Sequence, residues 1–339
     1  MQNAFIVGLA GPVLRPDERT FIAEHRPAGL ILFARNCENA RQISDLVAAF
    51  NEASGARDRT LILIDQEGGR VQRIRSPTAT VLPAAAAFLA HANGDIAEAC
   101  RLVTMSMRLT AAELKPLGIN TDCAPVLDVP VAGSHNVIGN RAFSNDPATV
   151  VALGRAAAAG LMAGGMLPVM KHVPGHGRAC SDSHFELPVV DQPLDTLMSS
   201  DFMPFRALAH LPAAMTAHVV FSAVDGSQGA STSRKVTDDI IRKHIGFSGL
   251  LMSDDLGMKA LAGDFSTRTK AVIHAGCDLA LHCSGNMQEM VAVAEAVPVL
   301  QGVAQERFSA AVAVTQAEPE PFDLDEARDT MARMLAKAA

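Results

Sequence analysis

Eight short apolar runs, spread along the whole chain, constrain the fold more than any other feature of this sequence. They are Ala4–Val7, Gly29–Phe33, Thr60–Ile64, Asn120–Ala124, Leu167–Met170, Ala213–Ala217, Leu250–Met252 and Leu279–Leu281. Most are apolar on both faces and are bounded by glycine or polar residues, a pattern typical of strands buried in a parallel sheet. The sequence therefore predicts eight parallel strands.

Segments with helical spacing separate these runs. The clearest predicted helices are Ala40–Phe50, Ile96–Lys115, Pro147–Met162, Leu194–Leu208, Asp238–His244 and Thr267–Ala275. Strands that alternate with helices indicate parallel βα units, and eight such units in 339 residues fit a (β/α)8 barrel of the TIM type. A doubly wound open sheet is the main structural alternative, although no Gly-x-Gly-x-x-Gly motif or P-loop follows a predicted strand to favour its nucleotide-binding form.

The chain contains no linker, charge block or internal repeat that would divide it. We therefore expect residues 1–339 to form one α/β domain, with a C-terminal helix at about 323–337 packed on the barrel. The apolar content of 49% is ample for a large core.

Composition argues against several classes of partner. The net charge of −7 disfavours a broadly basic nucleic-acid surface, and the absence of Trp and Tyr disfavours a membrane aromatic belt. The longest uncharged runs are interrupted by proline and histidine, so we expect no membrane span. The N-terminus has no basic region before its short apolar stretch, and the six cysteines form no Cys-x-x-Cys pair. Free thiols in a reducing cytoplasm are the expectation.

Polar residues collect directly after the predicted strands, where the active site of a barrel enzyme lies. The third strand is followed by Asp65, Glu67, Arg70 and Arg73. Carboxylates and guanidinium groups at a strand end suit bidentate hydrogen bonding to sugar hydroxyls or to a carboxylate. The alternative is a salt-bridge network that tightens the barrel mouth.

The segment after the fifth strand is rich in histidine. Lys171 and His172 end the strand, and His176, Asp182 and His184 follow. A lysine at the end of an apolar run needs a partner or a ligand. Asp182 could accept a hydrogen bond from His184 and make it a general acid/base, although an incidental acidic neighbour is the alternative.

Asp254 follows the seventh strand directly. A carboxylate there would point at the pocket as a nucleophile or metal ligand, or would serve as a structural ion pair or helix cap. We expect Asp255 to point elsewhere, because successive side chains of a strand alternate.

Three functions are compatible with these residues. A zinc hydrolase could use His172, His176, His184 and Asp254, but no His-x-His or His-Glu-x-x-His motif is present. A non-catalytic sugar-binding barrel would use the same hydrogen-bonding groups and would also need aromatic platforms, for which Trp and Tyr are missing. A glycoside hydrolase needs a nucleophilic carboxylate and a proton donor, which Asp254 and His184 can supply.

Five stretches together resemble the motifs of the family 3 glycoside hydrolases. Residues 171–177 (KHVPGHG) and 182–184 (DSH) resemble the KHFPGHG…DSH signature, and residues 65–73, 138–143 and 253–256 resemble further motifs in the same order. The resemblance covers about residues 5–300. Within the family, the motifs more specifically resemble those of the bacterial cytoplasmic β-N-acetylhexosaminidases of peptidoglycan recycling. Val173 replaces the usual Phe and Gly257 the usual Ser.

The resemblance implies a single catalytic (β/α)8 domain and a retaining β-N-acetylhexosaminidase. The implied substrate is GlcNAc-1,6-anhydro-MurNAc with or without its peptide, cleaved during cell-wall recycling through a covalent glycosyl-aspartate. The implied catalytic residues are Asp254 (nucleophile), His184 (acid/base) and Asp182 (its partner), and the implied sugar-binding residues are Asp65, Arg73, Arg141, Lys171 and His172.

No metal, cofactor, nucleic-acid or membrane partner is implied. A phosphorylase acting at the same site stays open, because a histidine acid/base repels an incoming phosphate less than a carboxylate would. The sequence indicates no oligomeric state.

Overall fold

The eight parallel strands close into a barrel in the computed structural model, which describes residues 1–56, 59–183 and 185–338. They are β1 (Asn3–Gly8), β2 (Pro27–Leu32), β3 (Leu61–Ile64), β4 (Thr121–Asp122), β5 (Leu167–Val173), β6 (Ala213–Thr216), β7 (Leu250–Asp255) and β8 (Leu279–His282). Each strand pairs with the next, and β8 pairs with β1. The predicted barrel is therefore confirmed, and the doubly wound open sheet is wrong.

Helices surround the barrel. They are α1 (Pro16–His25), α2 (Ala40–Ser54), α3 (Ala85–His91), α4 (Ile96–Leu114), α5 (Pro147–Ala163), α6 (Leu194–Ser199), α7 (Met203–Ala207), α8 (Phe265–Ala275), α9 (Met287–Ala294), α10 (Gly302–Thr315) and α11 (Leu324–Ala338). Single turns of 3-10 helix lie at Ala34–Asn36, Lys115–Leu117 and Gly139–Arg141. No helix among the described residues is both long enough and apolar enough to cross a membrane.

Two predicted helices differ from the structure. The predicted helix Leu194–Leu208 is split into α6 and α7. Pro204 has no N–H for a continuous helix, and its ring would clash with the carbonyl of Ser200, four residues earlier. The predicted α-helix Asp238–His244 is instead a π-helix, Val236–His244.

Alternation along the strands builds two separate packing layers. One set of side chains, including Ile6, Leu63 and Val169, fills the barrel interior. The intervening set, including Phe5, Ile64 and Met170, packs against the surrounding helices. Because every strand is covered on both faces, the strands carry apolar residues at successive positions.

A two-stranded hairpin follows β3 and shapes the barrel mouth. Its strands are Gln66–Gly68 and Val71–Gln72. Gly68 and Gly69 have positive φ angles of 100° and 57°, and a Cβ on Gly68 would lie 2.4 Å from the Pro83 carbonyl oxygen. Only glycine fits this turn, which brings Arg73 back beside Asp65. A separate three-stranded sheet is formed by Val189–Val190, Val220–Phe221 and Asp225–Gly229.

Candidate active site

A cavity of about 390 Å³ opens at the carboxyl ends of the strands. Its apolar lining includes Ile31, Met215 and Leu281 from the barrel interior. Six of the eight predicted site residues line it: Asp65, Arg73, Arg141, Lys171, His172 and Asp254. Asp182 lies in an adjoining groove, and His184 lies outside the described residues.

A larger groove of about 790 Å³ lies near the amino ends of the strands, beside Gln2 and Arg59. Its described lining contains no carboxylate and no histidine, so it offers no acid/base chemistry. The candidate site is therefore the smaller cavity.

Asp65 directly follows β3 and is held by two cations. Arg73 donates to its Oδ2 at 2.7 Å, and Lys171 donates to its Oδ1 at 2.8 Å. Burial alone would raise the pKa of Asp65, but the charges of Lys171 and Arg73 lower it well below its usual range. The carboxylate is therefore ionised, with its oxygens in fixed directions at the cavity wall.

Glu67, two residues further on, shares Lys171 with Asp65. The Lys171 Nζ lies 2.6 Å from a Glu67 carboxylate oxygen, and Arg141 donates to both Glu67 oxygens at 2.8 and 2.7 Å. Burial disfavours the charge on Lys171, but these carboxylates raise its pKa above the usual range. The salt-bridge network considered for this cluster is present, and it leaves Asp65, Arg73 and Arg141 on the cavity wall.

Arg70, the remaining charged residue that follows β3, forms hydrogen bonds to a neighbouring loop. Its guanidinium donates to the carbonyls of Asn136, Val137 and Ile138 at 2.7, 2.6 and 3.1 Å. It thereby ties the β3 hairpin to the loop after β4.

His172 is oriented by Asp128, a residue that the sequence reasoning did not select. The Nδ1 of His172 lies 2.7 Å from Asp128 Oδ2, and Asp128 Oδ1 also accepts the backbone N–H of His176 at 2.7 Å. The bond at Nδ1 leaves Nε2 as the ring nitrogen available to a ligand. Asp128 follows the apolar run after β4, so the reasoning that selected Asp254 could have found it.

Asp254 projects from the end of β7 into the cavity. One carboxylate oxygen accepts the backbone N–H of Asp255 at 2.8 Å, and among the described residues it has no ion pair within 4 Å. Burial acts to raise its pKa, but electrostatic interaction with His218, His172 and Lys171 and the backbone hydrogen bond from Asp255 lower it below the usual value. Asp254 is therefore an ionised carboxylate without a directly bonded cation.

Asp255 lines the same cavity as Asp254, so the expectation that it points elsewhere is wrong. Its Oδ1 accepts backbone N–H groups of Gly257 at 2.9 Å and Cys283 at 3.1 Å. The pairing of β7 with β8 shifts register between Met252 and Asp255, so the strand is irregular where the two aspartates lie.

The segment that carries Asp182 is tied to the barrel mouth at Ser183. The Ser183 hydroxyl lies 2.9 Å from His176 Nε2, and its carbonyl accepts the N–H of Ala260 at 3.3 Å. Burial lowers the pKa of His176 to about 4, so this ring is neutral near pH 7. Asp182 lines a groove of about 410 Å³ that shares Val71 and Arg141 with the cavity.

The zinc hypothesis finds no support in the described part of the chain. There, no three His, Cys, Asp or Glu side chains are placed to hold one metal ion. The rings of His172 and His176 are 5.8 Å apart, and each ring has a hydrogen-bond partner of its own.

Residues 8–316 match the family described as Glycosyl hydrolase family 3 N terminal domain. The chain belongs to glycosyl hydrolase family 3. It is thus a glycoside hydrolase, and the resemblance found in its motifs is confirmed. Among relatives, a protein named Beta-hexosaminidase from Bordetella parapertussis is 40% identical over 283 residues, which are 82% of this chain and 79% of that protein. A Beta-hexosaminidase from Pseudomonas aeruginosa is 37% identical over 298 residues, covering 87% and 86%.

Solved structures of this family share the fold. NagZ from Neisseria gonorrhoeae, crystallised with N-trifluoroacetyl-D-glucosamine, has a TM-score of 0.87 and 31% identity and covers 98% of both chains. A family 3 β-N-acetylglucosaminidase from Paenibacillus has a TM-score of 0.84 and 28% identity. The chain spans 66% of that longer protein and is itself covered to 98%.

Proposed function

We propose that this family 3 enzyme is a retaining β-N-acetylglucosaminidase whose nucleophile is Asp254. The observation that carries the proposal is the placement of Asp254, ionised and without a bonded cation, in a cavity whose walls carry Asp65, Arg73, Arg141, Lys171 and His172. A nucleophile must keep a lone pair free for the anomeric carbon, whereas a structural carboxylate uses its oxygens in ion pairs.

The wall residues support binding of a terminal amino sugar. Asp65 can accept hydrogen bonds from sugar hydroxyls, while Arg73, Lys171 and the Nε2 of His172 can reach hydroxyl or acetamido oxygens. The Neisseria relative, crystallised with N-trifluoroacetyl-D-glucosamine, supports an N-acylated glucosamine as the ligand of this cavity. The names of the Bordetella and Pseudomonas relatives agree with hexosaminidase activity.

The proposed mechanism has two displacements. In the first, Asp254 attacks the anomeric carbon of the β-linked sugar, the glycosidic C–O bond breaks, and protonated His184 gives its proton to the leaving oxygen. In the second, neutral His184 takes a proton from water, and the resulting oxygen nucleophile displaces Asp254. The sugar is released with its β configuration restored, and His184 is protonated again.

Asp182 is proposed to hold the ring of His184 through one nitrogen and to raise the basicity of the other. The anchoring of Ser183 beside the cavity supports this assignment, because it fixes the chain directly before His184 at the barrel mouth. The low pKa of His176 makes that histidine a poor proton donor near pH 7, which favours His184 as the acid.

The proposed substrate is GlcNAc-1,6-anhydro-MurNAc, with or without its peptide, cleaved by a single catalytic domain in the cytoplasm during cell-wall recycling. The groove next to the cavity supports a second sugar there, since it provides about 410 Å³. Arg70, His135 and Arg141 line it together with Asp182. The charge of Arg70, which forms no ion pair among the described residues, suits the free lactyl carboxylate of a muramic acid without peptide.

The test compares 4-nitrophenyl β-N-acetylglucosaminide with the matching β-glucoside, each with and without inorganic phosphate. We expect hydrolysis of the acetamido substrate, little activity on the glucoside, and the same product in both buffers. A sugar phosphate formed only with phosphate would identify a phosphorylase. Equal rates on the two glycosides would contradict acetamido recognition, and no cleavage of either would contradict the proposal as a whole.

A further inference from the structure

His218 is a buried histidine that the proposed mechanism does not use. It lies two residues beyond β6, next to the end of β7, and its side chain has no solvent exposure. Both ring nitrogens have a partner: Nδ1 lies 2.6 Å from the Ser231 hydroxyl, and Nε2 lies 3.0 Å from the carbonyl oxygen of Asp255. Its ring therefore connects the 231 segment to the strand that carries Asp254.

The two contacts define which nitrogen carries the proton. A carbonyl only accepts, so Nε2 must carry the hydrogen and donate it to Asp255. The Ser231 hydroxyl is fully buried and, among the described residues, its only hydrogen-bond partner is His218. The Ser231 O–H can donate a hydrogen bond only if His218 Nδ1 accepts it. Nδ1 can accept only when the imidazole ring is neutral. Burial also lowers the pKa of His218, in the same direction.

The position of Ser231 is itself fixed by backbone hydrogen bonds. Its N–H donates to the carbonyl of Ala217 at 3.2 Å, and the N–H of Ala230 donates to the carbonyl of Val219 at 2.8 Å. Residues 230–231 therefore run beside the chain around His218, and the hydroxyl has little freedom to leave the ring.

Asp255, the residue that His218 holds, is bonded at three groups. Its carbonyl accepts from His218, its N–H donates to the Asp254 carboxylate at 2.8 Å, and its own carboxylate accepts from the backbone of Gly257 and Cys283. The N–H that orients the Asp254 carboxylate and the carbonyl that the imidazole holds lie on the two sides of the Asp255 Cα, and that carbonyl also accepts the N–H of Met258 at 3.2 Å. The residue that orients the Asp254 carboxylate is thus fixed on its far side by the imidazole. This holds the irregular end of β7 at the point where the ladder shifts register.

We propose that His218, set in its neutral Nε2–H form by Ser231, is a positioning residue for the Asp254 nucleophile. It holds the carbonyl of Asp255, and through that residue the N–H that aims the Asp254 carboxylate at the anomeric carbon, without placing a cation in contact with that carboxylate. A lysine or arginine there would fix the strand equally well, but it would tie up the lone pairs that the attack needs. The inference rests on Asp254 being the nucleophile of the proposed function.

The experiment measures kcat, KM and the Kd for N-acetylglucosamine in His218→Phe, His218→Gln, Ser231→Ala and Ser233→Ala. Phe keeps the size of the ring without hydrogen bonds, and Gln keeps an N–H donor near Nε2. Ser233 is the matched control, because it is a buried serine of the same segment whose hydroxyl bonds Asp225 at 2.6 Å and not β7.

We expect kcat to fall about 100-fold in His218→Phe, the loss typical of a small misplacement of a reacting group, with an unchanged Kd. His218→Gln should recover most of the rate, Ser231→Ala should lie between them, and Ser233→Ala should keep the wild-type kcat. A wild-type kcat in His218→Phe, no recovery in His218→Gln, or an equal loss in Ser233→Ala would overturn the inference.

Nitrogen NMR of histidine-labelled wild-type enzyme tests the ring form directly, even if His218→Phe does not fold. We expect His218 to carry hydrogen on Nε2 only at pH 7; a doubly protonated ring or hydrogen on Nδ1 would overturn the inference. Failure of the wild-type enzyme to cleave the acetamido substrate would instead refute the proposed function, so the two failures are distinguishable.

Discussion

Two carboxylates that line the cavity from strands on opposite sides of the barrel are held in different ways. Asp65, at the exit of β3, bonds a lysine and an arginine at 2.8 and 2.7 Å. Asp254, at the exit of β7, bonds only a backbone N–H at 2.8 Å among the described residues, and the residue after it is held by a neutral imidazole and by backbone groups. Both have a lowered pKa, so the difference lies in contact and not in ionisation.

The difference shows how one cavity can hold a binding carboxylate and a reacting carboxylate. Directly bonded cations fix the oxygens of Asp65 in space, which suits a hydrogen-bond acceptor for sugar hydroxyls. Electrostatic interaction with side chains that do not touch it, Lys171 among them, lowers the pKa of Asp254. The lone pairs of its carboxylate stay unoccupied, which suits a nucleophile.

The largest effect should come from Asp254→Asn, which removes the reacting oxygen and keeps the shape. We expect kcat for an aryl β-N-acetylglucosaminide to fall by about five orders of magnitude, the scale seen when a covalent nucleophile is lost. Calorimetric binding of N-acetylglucosamine should persist, because Asp65 and its cations are intact. A variant that keeps its activity, or that loses sugar binding together with activity, would remove the distinction between the two carboxylates.

Lys171→Met should destabilise the fold and abolish sugar binding. Lys171 is buried and compensates both Asp65 and Glu67, at 2.8 and 2.6 Å. Removing one partner of a buried ion pair costs about 3–5 kcal/mol, because the other charge stays buried without compensation. Urea unfolding measures the loss, and Lys270→Met, an exposed lysine of α8, is the control. An equal free energy of unfolding for the two variants would show that Asp65 and Glu67 do not need the charge of Lys171.

The sequence could predict the features that depend on residues close together in the chain, but not those that depend on residues far apart in it. The strands were predictable because alternation and apolar runs are local signals, and Asp65, Lys171, His172 and Asp254 were found because they follow those strands directly. Helix α1 was not among the clearest predicted helices, since its buried apolar residues Phe21 and Ile22 are adjacent instead of being spaced by three or four.

The distant partners that hold the site residues were not predictable in the same way. Asp128 bonds His172 across 44 residues, and His218 bonds the carbonyl of Asp255 across 37 residues. Such contacts depend on how separate loops pack, and no local pattern encodes them. The sequence thus indicated which groups reach the cavity but not which of them are tied by cations.

Asp122, a buried carboxyl at the end of β4, differs from Asp65 and Asp254 in the direction of its pKa shift. Its Oδ1 accepts the N–H of Gln66 at 3.0 Å, while its Oδ2 has no hydrogen-bond partner among the described residues. Burial raises its pKa to about 7. A raised pKa favours the folded state below the unfolded pKa of about 4, and this stability is lost as the pH rises through about 7.

Asp122→Asn should therefore lose less thermal stability than the wild type between pH 5 and pH 8, by a few degrees in Tm. Other titrating groups, such as His176, act equally in both proteins and cancel in the difference. Scanning calorimetry at the two pH values measures it. Parallel loss of Tm in both proteins would mean that Asp122 is ionised across this range, as Asp65 and Asp254 are.

Chelation should have the smallest effect. If Asp254 acts as a nucleophile and not as a metal ligand, dialysis against EDTA should leave kcat unchanged. Inactivation by EDTA with recovery on adding zinc would assign the free oxygens of Asp254 to a metal site and revive the zinc hydrolase hypothesis.

Covalent trapping tests the central claim most directly. A fluorinated N-acetylglucosaminide that forms the glycosyl-enzyme faster than it is hydrolysed should add one sugar to the intact protein mass. Peptide mapping should then place that sugar on Asp254. A sugar attached to any other residue, or turnover of the reagent by fully active enzyme with no covalent adduct at any time, would contradict the account.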